Sequence, residues 1–386
     1  MRILFYSSYF YPYTSGITTY PYKVFSHLAK KFSISILTFC HDKKLAKIEL
    51  HNRLKIIRMP YLFKLYKGFI SPQSFFIFLK EIKKNDLIII NLPSIEGLPL
   101  LLLARLLGKK VISIFHCYLD LNNNFFLNII NSITNKIVNF QLALSNKIIS
   151  YTDDYINSLK ISKKIKKKIF TILPPILKLP ISKTKYKKFL KLKKRNIWIG
   201  YAGRISSEKG LEYLINAISS KHYSNKNFST EIVFAGPYGK NVSGENSYYL
   251  KIKNLLKSKK IKYRFFGNLK NGHLGAFYKT IDLLVLPSIN KTEAFGMVQA
   301  EAMLLGKPVI ASNLPGVKIP IKLTKMGLLV KPKNSLQLIK AIIKILKNKN
   351  KYSNKKLIKN AGKIFDIKKV YKFYEEIIKD LKNEKN

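Results

Sequence analysis

Short apolar runs alternate with amphipathic segments along the first half of the chain. The runs that predict strands lie at residues 3–7, 33–38, 54–58, 87–91, 111–116 and 147–151. Between them, apolar residues recur at helical spacing over residues 20–31, 73–84, 98–107 and 124–145. Because strands and helices alternate, we expect a parallel sheet with helices on both faces.

The same alternation returns in the second half and predicts a second sheet. Its strands are expected at residues 198–202, 231–235, 263–266, 283–286 and 309–311. A chain of 386 residues also exceeds the size at which a single hydrophobic core keeps growing. The predicted fold class is therefore α/β, with two doubly wound, Rossmann-like parallel-sheet domains that face each other across a cleft.

Breaks in this pattern suggest the domain boundaries. Residues 1–178 are predicted to form an N-terminal domain and residues 196–365 a C-terminal domain. The segment 179–195 contains Pro180 and many lysines, which is typical of a linker. Residues 366–386 are predicted to contain a basic amphipathic helix.

Two carboxylates flank a Phe-Gly turn that opens an apolar helix of the second domain. Seven residues separate Glu293 from Glu301, and the helix is predicted to begin near Gly296. The first backbone N–H groups of a helix have no partner within it, and its dipole favours negative charge there. The groups from Gly296 to Val298 can therefore receive an anion such as a diphosphate.

A second loop with candidate chemistry follows the predicted strand 198–202. Gly203 and Gly210 permit unusual backbone angles, and Arg204 and Lys209 lie between them. A guanidinium group is a fork-shaped donor and an ammonium group a mobile point charge. Together they suit two sides of one diphosphate.

These residues resemble the family 4 glycosyltransferases of the GT-B fold. The stretches that carry the resemblance are Gly203-Arg204, Glu208-Lys209-Gly210, Ala235-Gly236-Pro237, Asp282, Pro287-Ser288 and the nine residues from Glu293 to Glu301. Near the N-terminus, Tyr11-Pro-Tyr-Thr-Ser-Gly16 resembles the Gly-rich loop of the family, with Ser15-Gly16 where the family has a Gly-Gly pair. His116 stands where the family has a His-Asp pair, but Cys117 follows it.

The resemblance implies a retaining, metal-independent hexosyltransferase that moves a sugar from a nucleotide-diphosphate donor, UDP- or GDP-linked, to an acceptor hydroxyl. It implies that Glu301 binds the ribose hydroxyls and that Glu293 lies beside the donor sugar. It also implies that the helix in residues 366–386 packs back on the N-terminal domain. The candidate catalytic residues are Arg204, Lys209, Glu293 and His116. The candidate substrate-binding residues are Gly16, Gly203, Phe295, Gly296, Met297, Val298 and Glu301.

Neither a metal nor another cofactor is expected, because no Asp-x-Asp motif occurs and two cations already serve the diphosphate. For His116, a structural role without ligand contact stays open. For the pair Glu293 and Glu301, the acid and base of a glycosidase are an alternative. A nucleic-acid-binding protein and a nucleotide-sugar epimerase on the same fold are further alternatives, although no specific nucleic-acid motif is present.

Charge adds a membrane surface to the expected partners. The chain carries 71 Lys and Arg against 20 Asp and Glu, a net charge of +51. Cations near anionic lipid favour binding, and residues 61–70 and 75–80 mix aromatics with lysines. The same aromatics could instead form core. No signal peptide or spanning segment is recognised, so we expect a cytoplasmic protein at the inner face of the cell membrane, acting on a glycan or lipid-linked acceptor in polysaccharide or lipopolysaccharide synthesis.

Overall fold

The computed structural model describes residues 1–13, 15–65, 68–120, 125–220, 229–242 and 245–383. Several residues within the predicted segments lie outside these ranges, namely Thr14, Tyr66, Lys67, Asn124 and residues 384–386. The described chain divides into two compact units. Unit 1 comprises Met1–Pro175 and Ile367–Asn386, and unit 2 comprises Ile176–Asp366.

The strands are β1 (Arg2–Tyr6), β2 (Ser33–Phe39), β3 (Ile48–His51), β4 (Leu54–Met59), β5 (Phe63–Leu65), β6 (Gly68–Ile70), β7 (Leu87–Leu92), β8 (Lys110–Phe115), β9 (Lys147–Ser150), β10 (Ile169–Thr171), β11 (Ile197–Ala202), β12 (Thr230–Ala235), β13 (Lys262–Phe265), β14 (Leu283–Leu286), β15 (Val309–Ser312) and β16 (Gly327–Val330).

The helices are α1 (Gly16–Leu28), α2 (Ser74–Lys84), α3 (Gly97–Leu106), α4 (Phe125–Leu144), α5 (Asp153–Asn157), α6 (Lys163–Lys166), α7 (Lys183–Lys193), α8 (Leu211–Ile218), α9 (Asn246–Ser258), α10 (Asn271–Thr280), α11 (Met297–Leu304), α12 (Ile319–Thr324), α13 (Ser335–Lys347), α14 (Lys349–Tyr352), α15 (Lys355–Ile364) and α16 (Ile367–Asn383).

Unit 1 contains an eight-stranded sheet in the order β10-β9-β8-β7-β1-β2-β4-β3. All neighbours pair in parallel except β3, which pairs with β4 in antiparallel fashion at one edge. Strands β1, β7 and β8 are almost entirely buried, as expected for a parallel sheet covered on both faces. Strands β5 and β6 pair in antiparallel fashion in a separate two-stranded sheet.

The C-terminal helix α16 belongs to unit 1 and packs on α1. The hydroxyl groups of Tyr20 and Tyr374 are hydrogen-bonded at 2.8 Å, and both side chains are fully buried. At the rim, Lys31 Nζ lies 2.7 Å from Glu375 Oε2. A buried hydrogen bond between two tyrosines and a peripheral ion pair therefore attach α16 to α1.

Unit 2 contains a six-stranded parallel sheet in the order β13-β12-β11-β14-β15-β16. The chain builds outward from β11 to β13 and then returns to the other side of β11 with β14. Between β11 and β14 the order of strands reverses across the sheet, and such a switch point is where open α/β sheets bind ligands. Both candidate loops of unit 2 lie there.

The predicted linker 179–195 is wrong in part, because this segment folds within unit 2. Ser182 caps the N-terminus of the 11-residue helix α7, whose Phe189 is buried. Helix α7 packs on α10, and Ser182 N donates to Gly272 O at 3.0 Å. The many lysines of this segment suggested a linker, and the buried Phe189 that anchors the helix gave no clear pattern in the sequence.

Prediction for this contact: Gly275→Ala should destabilise unit 2 by about 1–3 kcal/mol, because overpacking against rigid backbone strains a fold. A Cβ at Gly275 would lie 2.0 Å from Pro180 O. Thermal unfolding measures the change. Gly362→Ala is the matched control, since nothing lies within 4 Å of its Cβ, and it should gain about 0.5–1 kcal/mol from helix propensity. A stabilised Gly275→Ala protein would contradict the packing of this segment.

Candidate functional site

Three loops of unit 2 meet at the carboxyl edge of its sheet. Strands β12, β11 and β14 are adjacent, so the loops that follow them emerge side by side. After β11 and β12, Gly203 N donates to Ala235 O at 2.8 Å, and a Cβ at Gly236 would lie 2.0 Å from Gly203 O. Only a glycine allows this approach, so the first two loops are held together by their backbones.

The loops after β11 and β14 are also in contact. Ile289 N donates to Glu208 O at 3.0 Å, and a Cβ at Gly210 would lie 2.7 Å from Pro287 O. Gly210 has φ +60 and ends a short 3₁₀ turn, Ser207–Lys209. This backbone packing fixes the position from which the side chain of Lys209 starts.

Lys209 and Glu293 form an ion pair across these two loops. Lys209 Nζ lies 2.7 Å from Glu293 Oε2, and the side chains are only 13% and 18% exposed. The sequence analysis placed both residues at one ligand, and the structure joins them to each other. The pair lies at the switch point of the sheet, where the two candidate loops touch.

Arg204 also has a carboxylate partner. Its guanidinium Nη2 lies 3.1 Å from Glu208 Oε1, and the side chain is 43% exposed. Burial raises the pKa of Glu208, but the charges of Lys209 and Arg204 and the hydroxyl of Ser206 outweigh it, so the pKa is lowered. Glu208 is thus ionised at neutral pH and holds Arg204 near the loop.

Tyr201, which the sequence analysis did not select, lies beneath this charged group. Its hydroxyl donates to Arg204 O at 2.6 Å, and the ring is fully buried at the end of β11. Burial, with the charges of Glu208 and Glu293, raises the pKa of Tyr201 well above its ordinary value. The phenol therefore stays protonated and serves as a donor. The signal available in the sequence was a single Tyr near the end of an apolar strand.

Helix α11 begins at Met297, and Gly296 directly before it has a left-handed φ of 76°. No side chain caps this helix, and its first residues Met297 and Val298 are half-buried. In the first turn, Gln299 N donates to Gly296 O at 2.9 Å. The predicted helix start is present. The side chain of Phe295 is not exposed for substrate contact, because its ring is buried and its centroid lies 6.4 Å from that of Phe365.

Glu301 lies one turn into α11 and accepts a hydrogen bond from Tyr278. The hydroxyl of Tyr278 lies 2.9 Å from Glu301 Oε2, and its ring is fully buried. Burial and the charge of Glu301 raise the pKa of Tyr278 well above its ordinary value. Tyr278 therefore donates and orients the carboxylate. Its role could not be read from the sequence, since it lies on a different helix, α10.

Gly16 and His116 belong to unit 1. Gly16 is the first residue of α1, and Ser15 caps that helix: Thr18 N donates to Ser15 Oγ at 3.3 Å, and Ser15 N to Thr18 Oγ1 at 2.9 Å. The side chain of Ser15 therefore occupies the start of this helix.

His116 is 2% exposed and both ring nitrogens are occupied. Nε2 lies 2.6 Å from Asn91 Oδ1, and Nδ1 is hydrogen-bonded to the hydroxyl of Tyr151. Asn91 in turn donates to Ser7 Oγ and Ile17 O, which leaves its oxygen toward the ring, so Nε2 carries the proton. These contacts support the structural role for His116 that the sequence analysis left open.

Within the described ranges, no group of three or more His, Cys, Asp and Glu side chains could hold a metal ion. In the same part of the chain, no helix combines the length and apolar character needed to traverse a bilayer.

Comparison with known proteins adds to this geometry. Residues 182–364 match the family of glycosyl transferases group 1. The matched segment lies in unit 2 and contains both candidate loops.

Two curated relatives match about a third of this chain. An uncharacterised glycosyltransferase of Methanocaldococcus jannaschii is 34% identical over 137 residues, covering 35% of this chain and 32% of the relative. The lipopolysaccharide 1,2-N-acetylglucosaminetransferase of Salmonella typhimurium is 32% identical over 117 residues, covering 30% of each. The chain spans about a third of the length of these curated relatives.

Solved structures match over almost the whole chain. Sucrose-phosphate synthase from Thermosynechococcus elongatus has a TM-score of 0.78 at 17% identity and covers 98% of both chains. HepE of Anabaena, in complex with UDP-glucose, has a TM-score of 0.77 at 16% identity and covers 98% of this chain and 100% of its own. At these identities the likeness concerns the fold, and the predicted α/β GT-B class is confirmed.

Prediction for His116: burial lowers its pKa to about 3, against about 6.5 in the unfolded chain. Below pH 6.5 the unfolded chain binds a proton that the folded chain refuses, so stability is present above that pH and is lost as pH falls toward 3. The free energy of unfolding should drop by about 1 kcal/mol between pH 7 and 5.5 from this group.

Urea denaturation followed by circular dichroism measures this dependence. In His116→Gln the drop in unfolding free energy that His116 causes should vanish. The control His273→Gln, at an exposed position of α10, should show the same drop as the unsubstituted protein. The same pH dependence in His116→Gln as in the unsubstituted protein would contradict a buried neutral imidazole.

Proposed function

We propose that the protein is a glycosyltransferase that binds a nucleotide-diphosphate sugar on unit 2 and transfers the sugar to an acceptor hydroxyl with retention of configuration. The observation that carries the proposal is the Lys209–Glu293 ion pair across the loops after β11 and β14. It lies at the switch point of a sheet whose sequence matches the group 1 family. Three features of the site support it.

The first feature is the supply of positive charge for a diphosphate. Arg204 and Lys209 lie on one loop, and the N-terminus of α11 bears no side-chain cap. Each cation is held by a carboxylate, so the side chains are ordered before a ligand arrives. A preorganised donor stabilises developing charge without first reorganising.

The second feature is the position of that charge relative to the reaction. As the bond between the anomeric carbon and the diphosphate oxygen breaks, negative charge grows on the leaving diphosphate. Lys209 and Arg204 therefore stabilise the transition state more than the bound donor. In a retaining transfer the acceptor oxygen bonds to the anomeric carbon on the face that the diphosphate leaves. The departing phosphate oxygen takes the acceptor proton, so no protein base is required.

The third feature is a pair of carboxylates that accept hydroxyl hydrogens. Tyr278 orients Glu301, which we assign to the ribose hydroxyls of the donor. Glu293 is assigned to the donor sugar. Its ion pair with Lys209 couples the position of that sugar to the position of the leaving diphosphate. Carboxylates form strong, charge-assisted bonds with such hydroxyls.

A UDP- or GDP-linked hexose is the proposed donor, and a cell-surface glycan or lipid-linked oligosaccharide the proposed acceptor. HepE binds UDP-glucose, and the Salmonella relative acts in lipopolysaccharide synthesis by its name. We further propose that an anionic membrane surface is a partner and that the protein works at the inner face of the cell membrane. An epimerase would also bind the donor, but would release an altered nucleotide sugar without needing an acceptor.

Prediction for the cations: Arg204→Ala and Lys209→Ala should each lower turnover about 10²- to 10³-fold, as loss of one donor to developing charge does in other enzymes. Release of UDP or GDP from a panel of nucleotide sugars, with and without acceptor, measures the rate. Lys257→Ala, on the exposed end of α9, is the matched control and should keep full turnover. Full rates in both site variants would refute the assignment.

Prediction for metal: EDTA should leave sugar transfer unchanged, because the phosphate charge is balanced by Arg204, Lys209 and backbone N–H groups. Turnover with the best donor is compared before and after chelation, and again after adding Mg²⁺ or Mn²⁺. Loss of activity that either ion restores would show that a metal takes part.

A further inference from the structure

We infer that three helices of unit 1 form a docking surface for an anionic lipid bilayer. The proposal locates, on unit 1, the surface that would bind the membrane named above as a partner. It extends the proposed function, but lipid binding is measured without any sugar donor, so either proposal can fail while the other holds.

Helices α2, α3 and α4 lie side by side on one face of the unit 1 sheet. Helix α3 joins β7 to its neighbour β8, and α4 joins β8 to β9, so the chain moves in one direction across the sheet. Right-handed crossovers that move in one direction place their helices on one face. Helix α2 packs on α3, which packs on α4. Helix α1 runs in the other direction, from β1 to β2, and α16 packs on it.

The outer side of these three helices is apolar where a soluble helix is usually charged. Its exposed apolar residues are Phe75, Phe76, Leu102, Leu106, Ile129, Ile133 and Phe140. On α4, Ile129 and Ile133 are one turn apart, and Lys136 is the only charged residue among the 20 of the helix. We call this set, with the exposed cations Lys80, Lys83, Arg105 and Lys136, the α2–α4 face.

The charge on this face is of one sign. Within α2, α3 and α4 the single acidic residue is Glu81, which is buried and lies 3.1 Å from Lys84 Nζ. The surface therefore presents aromatic and aliphatic side chains among cations. That combination fits a helix layer lying in the plane of a bilayer interface, with apolar side chains inserted and cations at the headgroups.

The same composition disfavours two other occupants. A second copy would meet this face with itself in a symmetric dimer, which brings like charges together. Nucleic acid would gain little from Leu106 or Ile133, since binding of bases relies on aromatic stacking. An anionic bilayer satisfies both the apolar and the cationic groups.

Residues 61–70 and 75–80, the segments singled out from the sequence, divide between core and surface. Phe69 and Phe78 are buried, whereas Phe75 and Phe76 are exposed. The core interpretation therefore holds for Phe69 and Phe78, and Phe75 and Phe76 are exposed where an interface could contact them. The contributions of α3 and α4 to the surface became visible only through the topology.

The experiment is co-sedimentation of the full chain with vesicles, in the absence of sugar donor. We expect binding to vesicles of equal phosphatidylglycerol and phosphatidylcholine, weaker binding to pure phosphatidylcholine, and weakening with salt. Absence of binding to the anionic vesicles would overturn the proposal.

Two matched pairs of variants test the location. The triple variant Phe76→Ser, Leu106→Ser, Ile133→Ser should lower partition at least about tenfold. These side chains are 74%, 82% and 54% exposed. The control triple Ile48→Ser, Leu50→Ser, Leu336→Ser, at 63%, 77% and 47% exposure, should bind like the unsubstituted protein. Because all six are exposed, thermal unfolding should stay nearly unchanged in both triples.

The second pair of triple variants distinguishes attraction by the α2–α4 face from attraction by the overall charge of +51. Lys80→Gln, Lys83→Gln and Lys136→Gln should together weaken binding, by about fivefold for each cation removed. The control triple Lys257→Gln, Lys333→Gln, Lys340→Gln removes the same charge from unit 2 and should bind like the unsubstituted protein. Equal losses in face and control triples would overturn the assigned location.

Two further readouts separate the occupants and the two proposals. Analytical ultracentrifugation that shows a dimer abolished by the apolar face triple, without vesicle binding, would assign the surface to a second copy instead. Lys209→Ala should bind vesicles normally, and the apolar face triple should still release nucleotide from the donor in solution. Lipid binding lost in Lys209→Ala but kept in the face triples would also overturn the proposal.

Discussion

The ion pair between Lys209 and Glu293 is the constraint on which the rest of the site depends. Both groups are largely shielded from water, so removing one partner would leave the other's charge poorly solvated. The pair also joins two loops that are 84 residues apart in sequence. Its geometry is set by backbone packing beneath it, where Gly210 lies against Pro287. The electrostatics of the site therefore rest on close approach of main chains, which side-chain chemistry alone could not arrange.

A network of neutral hydroxyl groups supports the charged residues. Tyr201 and Tyr278 are buried, protonated and directed at Arg204 O and Glu301 respectively. Phenols are suited to this role because burial strengthens their preference for the neutral form. Each presents a rigid ring with one donor. Carboxylates and cations thus sit above a layer that holds them in place without adding charge.

The sequence predicted most of the fold because buried parallel strands leave a simple apolar signal. Strands such as β7 and β14 carry little else. It failed for α7, where a single buried Phe189 amid lysines gives no visible period, and it missed β3, an exposed antiparallel edge strand. The candidate site residues were selected close to turns, where the local sequence carries a signal. Tyr278, the partner of Glu301, was missed because it lies 23 residues away and such a contact leaves no trace in local pattern. Tyr201 lies three residues from Arg204, so its strand end carried a local signal that was not selected. His116 was selected for its position at the end of a strand. That position suits a residue that contacts a ligand and a buried, hydrogen-bonded residue equally well, so the sequence could not distinguish the two roles.

Unit 1 is discontinuous, because unit 2 is inserted between Pro175 and Ile367. Tyr374 of the last helix closes the space over Tyr20 and lies 6.4 Å from the ring of Phe25. During synthesis every residue of unit 2 leaves the ribosome before this helix does. Domains generally fold as units during synthesis, so the inserted unit can complete its sheet while the earlier one still lacks the piece that covers α1. Unit 1, most of which precedes unit 2 in the chain, then becomes native after it.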